Sequence, residues 1–116
     1  MEESILISIK KLLGIAEDYT VFDADIIMHI NSVFMILNQL GVGADTCFRI
    51  EDDLAVWNDF IKIEDKLDAV KSYVYHKVKM LFDPPSNASV IEANNRIISE
   101  LEWRLHVQAE SKEVLK

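Results

Sequence analysis

Cysteine, proline, glycine and basic residues are all scarce in this chain of 116 residues, and each shortage excludes something. The single cysteine, Cys47, has no partner for an internal disulfide, which suits a reducing compartment and an ordinary thiol. Arg49 is the one cation flanking it and no sequence signal pairs it with a histidine, so a thiol nucleophile is not indicated. Twelve Lys and Arg stand against twenty Asp and Glu, a formal charge of -8 that offers no basic footprint for gripping phosphate backbones. Long apolar runs are missing too: even residues 26–40 contain His29, Asn31, Asn38 and Gln39. The chain opens Met1-Glu2-Glu3 rather than with a basic leader, and the expectation is a cytoplasmic product with no membrane partner.

The only two prolines are adjacent, and they sit in Leu81-Phe82-Asp83-Pro84-Pro85 between two long helical patterns. Pro84 pushes Asp83 out of the α region, and each proline removes an N–H donor. Asp83, Pro84 and Pro85 are therefore expected to form a rigid elbow that ends one helix and fixes its angle to the next.

Apolar residues are what the chain has in quantity: half of the sequence is hydrophobic although 28% is charged, and mean hydropathy is slightly positive. That is enough for one domain over residues 1–116 with a sizeable core, and the surplus points to surface that covers a partner.

Four main helices and one short helical turn account for the pattern, so the expected fold class is all-α, a small bundle. The first helix spans residues 2–13, with Ile5, Ile9, Leu12 and Leu13 as its buried stripe and Gly14 as a left-handed cap. The second starts at Asp23, acting as N-cap, and stops before Gly41, with Ile26, Ile27, Ile30, Val33, Phe34, Leu37 and Leu40 inward. Met28, Asn31, Met35 and Asn38 fall on roughly the opposite side of that helix, and this face is assigned to subunit contact.

Residues 42–64 break into loops, with a helical turn within residues 54–61 anchored by Trp57 and Phe60. A helix over residues 65–82 follows. It puts Leu67, Val70, Val74, Val78 and Leu81 inward and Tyr73 on a flank, while Lys71 and Lys77 either snorkel or pair with acids of a neighbour. Ser89-Val90-Ile91-Glu92 fits a capping box for the last helix, whose inward stripe reads Ala93, Ile97, Leu101 and Leu105. Glu92 with Arg96, Glu100 with Arg104 and Glu102 with His106 are four-residue pairs. Trp103 and Val107 lie away from that stripe, and residues 106–116 hold too few apolar side chains to stay docked in a free monomer.

Candidate chemistry is thin. Asp23 and Asp25 have the right type for metal ligands, but capping and the helix dipole explain both. Glu51-Asp52-Asp53 lacks the glycine-centred loop and closing Glu of a calcium site, and Glu102 with His106 lacks further ligands nearby. His29 reads as a core or interface residue rather than a base. No catalytic, cofactor or metal site is expected.

Several segments occur in a telling order: Phe22-Asp23, Ile30-Asn31-Ser32-Val33-Phe34, Leu40-Gly41-Val42-Gly43, Trp57-Asn58-Asp59-Phe60-Ile61, residues 71–78, residues 81–85 and Leu101-Glu102-Trp103-Arg104-Leu105. With them the chain resembles the head-tail connector (adaptor, or head-completion) proteins of long-tailed bacteriophages and prophages of Gram-positive bacteria. The likeness covers nearly the whole length and departs at residues 44–53 and 62–66. It implies a homo-oligomeric ring of about twelve copies docked on the portal protein. The next tail-side connector would join it, and DNA would pass through without specific binding. It also implies a place at the virion neck, in the host cytoplasm before assembly, and portal contact through the last helix at Trp103 and Val107. Two rival readings are a cytoplasmic, antitoxin-like regulator that binds a protein through Met28, Met35 and Trp103, and a small metal-dependent enzyme built on Glu102 and His106.

Overall fold

The computed structural model describes residues 4–42, 48–60 and 64–114, and the expectations for Cys47 and Glu2 fall outside them. In chain order the elements are α1 (Ile5–Leu13), α2 (Asp23–Gln39), the short α3 (Trp57–Phe60), α4 (Glu64–Phe82) and α5 (Ala88–Val114). The described residues form an all-α bundle with no strand beyond one isolated bridge, Ser4 with Val56.

Ser4 starts α1 by accepting from the Ile7 N–H at 3.3 Å, a cap that places the helix start a little later than its acidic prefix suggests. At the other end Gly14 takes φ 83°, where a side chain would be strained, and its N–H reaches the Lys11 carbonyl. Ile5 and Ile9 are buried as expected, joined by Leu6. Leu12 is 53% exposed, because its position lies past the edge of the stripe that α2 and α4 cover.

The inward face of α2 is Ile26, Ile30, Val33, Phe34 and Leu37, all fully buried, with Ile27 and Leu40 half-buried at its margins. Asp23 is the first helical residue rather than the cap; Phe22 holds the cap position and makes no side-chain capping bond. The Asp23 carboxylate is used elsewhere, on Lys10. The ammonium of Lys10, 1% exposed, lies 2.9 Å from Asp23 Oδ1 and donates to the Glu17 carbonyl at 3.0 Å. That carboxylate oxygen is buried and no donor aligns with it for a hydrogen bond, so the contact is ionic. A lysine in the core is tolerable only with such a partner.

Residues 48–60 cross the bundle as a strap. Ile5 N–H donates to the Ala55 carbonyl, and the Asn31 side chain both donates to the Ile50 carbonyl (2.9 Å) and accepts from the Ile50 N–H (2.7 Å). Trp57 Nε1 donates to Ser8 Oγ at 2.9 Å in the interior. Phe34 collects Phe48, Trp57 and Phe60 at ring separations of 5.3, 6.4 and 4.6 Å, a cluster that anchors the strap through the two aromatics the sequence singles out.

Helices α4 and α5 fold back on each other as an antiparallel hairpin, with Tyr73 and Lys77 of α4 facing Glu102 of α5. The elbow at Asp83, Pro84 and Pro85 is thus the hairpin turn. Val70, Val74 and Val78 are buried, and so is Tyr73, which belongs to the core and not to a flank. Leu81 keeps the helical phase of Val74 but is 51% exposed, since it falls at the end of the bundle where no neighbour covers it. Asn87 rather than Ser89 caps α5: its Oδ1 accepts from the Ser89 and Val90 N–H groups at 2.8 and 3.4 Å. The inward stripe of α5 is also shifted, to Ile98 and Leu105 with Leu101 alongside, while Ala93 and Ile97 face outward. Positions three and four residues before Leu101 fit the helical period equally, and the pull of Glu102 toward Tyr73 selects Ile98.

Candidate functional site

Among the described residues no group of three or more His, Cys, Asp or Glu is placed to hold a metal ion. Asp23 is occupied by Lys10. Asp52 Oδ1 accepts from the Leu54 N–H, a local turn within the exposed acidic run. The Glu102 and His106 pair does not form: Glu102 accepts from the Tyr73 hydroxyl at 2.6 Å and lies 3.7 Å from the Lys77 ammonium, whereas His106 Nδ1 lies 3.3 Å from the Leu40 carbonyl. Lys77 therefore meets its acid within the chain, and Lys71 sits 5.7 Å from the centre of the Trp57 ring. The other two helical pairs are present, Arg96 with Glu92 at 3.0 Å and Arg104 with Glu100 at 2.8 Å. Both are open to water and worth a few tenths of a kcal/mol.

Among the described residues the Tyr73 phenol stands out as strongly perturbed. Burial pushes it well above its ordinary range, and the hydrogen bond to Glu102 and the charge of that carboxylate act in the same direction. It is fully buried and holds two helices together through Glu102, so the perturbation is structural.

What the fold leaves open are surfaces. The outer side of α2 exposes Met28 (58%) and Met35 (51%), with Asn31 half-buried between them and Asn38 half-buried a turn beyond Met35. A shallow cleft of about 550 Å³ runs along this side, between Met28, Asn31 and Met35 and the strap residues Arg49, Ile50 and Glu51. Asn31, expected at the same face as the two methionines, spends both ends of its amide on Ile50 and so shapes the cleft from within. On α5, Trp103 is 66% exposed and Val107 half-buried, on the side away from Ile98 and Leu105. The helix itself continues through the expected tail as far as Val114.

The strap's use of Asn31, the burial of Lys10 and the capping role of Asn87 are features that sequence reasoning missed. Asn87 had a readable signal, since an Asn two residues after Pro85 and just before an apolar helix is a strong N-cap. Lys10 had none, because its helical phase with Leu6 and Leu13 gives no hint that Asp23 lies beside it.

No described helix is long and apolar enough to cross a membrane. Comparison with curated proteins and with solved structures gives no significant match. The phage connector protein family matches over residues 5–112. Because this span begins at the first residue of α1, runs through the elbow and stops two residues before the end of α5, it embraces the whole bundle, and the chain belongs to the phage connector protein family, a structural class of phage head-tail proteins.

Proposed function

We propose that this protein is a ring-forming adaptor between the portal and the tail, part of the conduit through which DNA leaves the capsid. Family membership over residues 5–112 is the observation that carries the reading. The exposed Met28 and Met35 face supports it, because a heterologous contact repeated around an axis needs an apolar patch left over after the core is built. Trp103 and Val107 supply a second surface, which we assign to the portal. The elbow at Pro84 and Pro85 sets the direction of α5 and with it the ring geometry. An acidic chain suits a channel along which DNA slides without adhering. In the virion the protein stands at the neck, with the next tail-side connector beneath it, and no step of this role calls for catalysis.

Electron microscopy of the purified protein mixed with portal tests the reading, alongside co-sedimentation of variants. Rings seated on the portal are expected from the parent chain. Trp103→Ala, or truncation after Gln108, should give a folded protein that binds portal poorly. A monomer or dimer indifferent to portal would overturn the adaptor role in favour of a protein-binding regulator.

A further inference from the structure

At the end of the bundle where the α1–α2 link meets the elbow, four rings form a continuous ladder. Tyr19 lies 5.8 Å from Phe22, Phe22 lies 5.4 Å from Phe82, and Phe82 lies 6.4 Å from His29. Tyr19 and Phe22 remain 47% and 38% exposed, Val21 beside them 70%, and Leu81 51%. Scattered single apolar side chains are normal on a surface, but these four are joined into one patch by the Phe22–Phe82 contact. The ladder does more than brace the elbow, because bracing requires only the Phe22–Phe82 contact, and Tyr19 at its outer end stays 47% exposed.

The charges beside the patch have one sign. Glu17 and Asp18 immediately precede Tyr19, and Asp25 stands one turn beyond Phe22; all three are exposed, and none of their carboxylates pairs with a cation among the described residues, the Lys10 ammonium reaching Glu17 through its backbone carbonyl. The cations closest along the chain are committed or displaced: Lys10 is buried on Asp23, Lys79 pairs with Asp83 at 3.2 Å, and Lys11 is exposed on the last turn of α1. Exposed aromatic rings with carboxylates close by along the chain favour a guanidinium, which stacks on a ring while its N–H groups reach the acids.

We propose that this end of the bundle docks an arginine-bearing segment of an adjoining neck protein, with a guanidinium on the Tyr19 and Phe22 rings and apolar neighbours on Val21 and Leu81. The proposal rests on the connector reading and names the chemistry of one contact within it. A second copy of this chain is the less suitable occupant, since its Arg96 and Arg104 are already paired with glutamates and its exposed Arg49 lines the cleft beside Met28 and Met35, the face assigned to the ring contact. Attraction of this kind weakens as salt rises.

The test uses the full chain, ring or monomer as it is purified, with two probes. The first is a short synthetic peptide alternating Arg and Leu, with a Glu and Leu peptide as control, titrated into the isotopically labelled protein by NMR. Shifts confined to Tyr19, Val21, Phe22, Leu81 and His29, seen with the Arg peptide alone and reduced about tenfold in apparent affinity by Tyr19→Ser or Val21→Lys, are expected. No shifts there, or equal shifts with the Glu peptide, would overturn the proposal. The second probe is co-sedimentation of the same variants with purified portal and with the tail-side connector. Loss of binding to one of these in both variants, with ring formation unchanged, is expected. Parent and variants binding both neighbours equally would sink this contact while leaving the adaptor role intact, whereas a parent that binds neither would remove the adaptor role and the proposal together.

Discussion

The Tyr73 hydroxyl donates to Glu102 Oε2 across 2.6 Å, joining the fully buried middle of α4 to a partly exposed carboxylate on α5. The unfolded chain gives up this phenolic proton near pH 10, whereas the folded chain keeps it, because burial and the adjacent carboxylate both disfavour the phenolate. The folded state thus binds more protons above that pH, and stability must fall as pH rises. The contribution is complete below about pH 10 and is lost progressively above it, by at most about 1.4 kcal/mol per pH unit. Tyr73→Phe should cost about 1–2 kcal/mol at neutral pH and flatten the alkaline decline. Urea unfolding at neutral and alkaline pH checks this; an equally steep decline in the variant would refute the assignment.

Lys10 and Asp23 are unequal partners in their ion pair, with side chains 2% and 26% exposed. Asp23→Ala leaves an ammonium buried with only the Glu17 carbonyl, and should cost about 3–5 kcal/mol. Lys10→Met fills the same space with an apolar chain and leaves a carboxylate that reaches water, so its cost is smaller. Denaturant midpoints of the two variants decide the matter, and the reverse order would show that the lysine is not held in the core.

Asn31 and Met35 are one turn apart on α2, yet their substitutions should fail differently. Asn31→Ala strips both hydrogen bonds from Ile50 and should lower stability by about 1–3 kcal/mol. Met35→Glu, at a half-exposed position, should leave stability within about 0.5 kcal/mol and abolish ring formation. Thermal unfolding together with sizing separates the two. Loss of cooperative unfolding in Met35→Glu would make that face part of the core.

The cap of α5 is testable by a pair of alanines. Asn87→Ala should cost about 1 kcal/mol, and Ser89→Ala close to nothing, since Ser89 is the donor to the cap rather than the cap itself. Equal effects would restore the capping box at Ser89 and Glu92.

Read alone, the sequence determined the number and type of helices, because apolar periodicity, Gly14, Gly41 and the Pro84–Pro85 break act locally and need no knowledge of neighbours. It also determined the core of α2 and the anchoring of the strap by Trp57 and Phe60, since large apolar side chains at helical spacing have one place to go. Two exposed surfaces, at Met28 with Met35 and at Trp103, were legible for the complementary reason that the inward stripes already satisfied their helices. Tertiary structure alone decided the rest. Whether Ile97 or Ile98 turns inward, whether Glu102 meets His106 or Tyr73, and whether Lys10 is solvated or buried depend on which side chain of a distant helix lies alongside. The aromatic ladder at the elbow is of the same kind: Tyr19 and Phe82 are far apart in the chain, and only the packing of α2 against α4 brings their line of rings together.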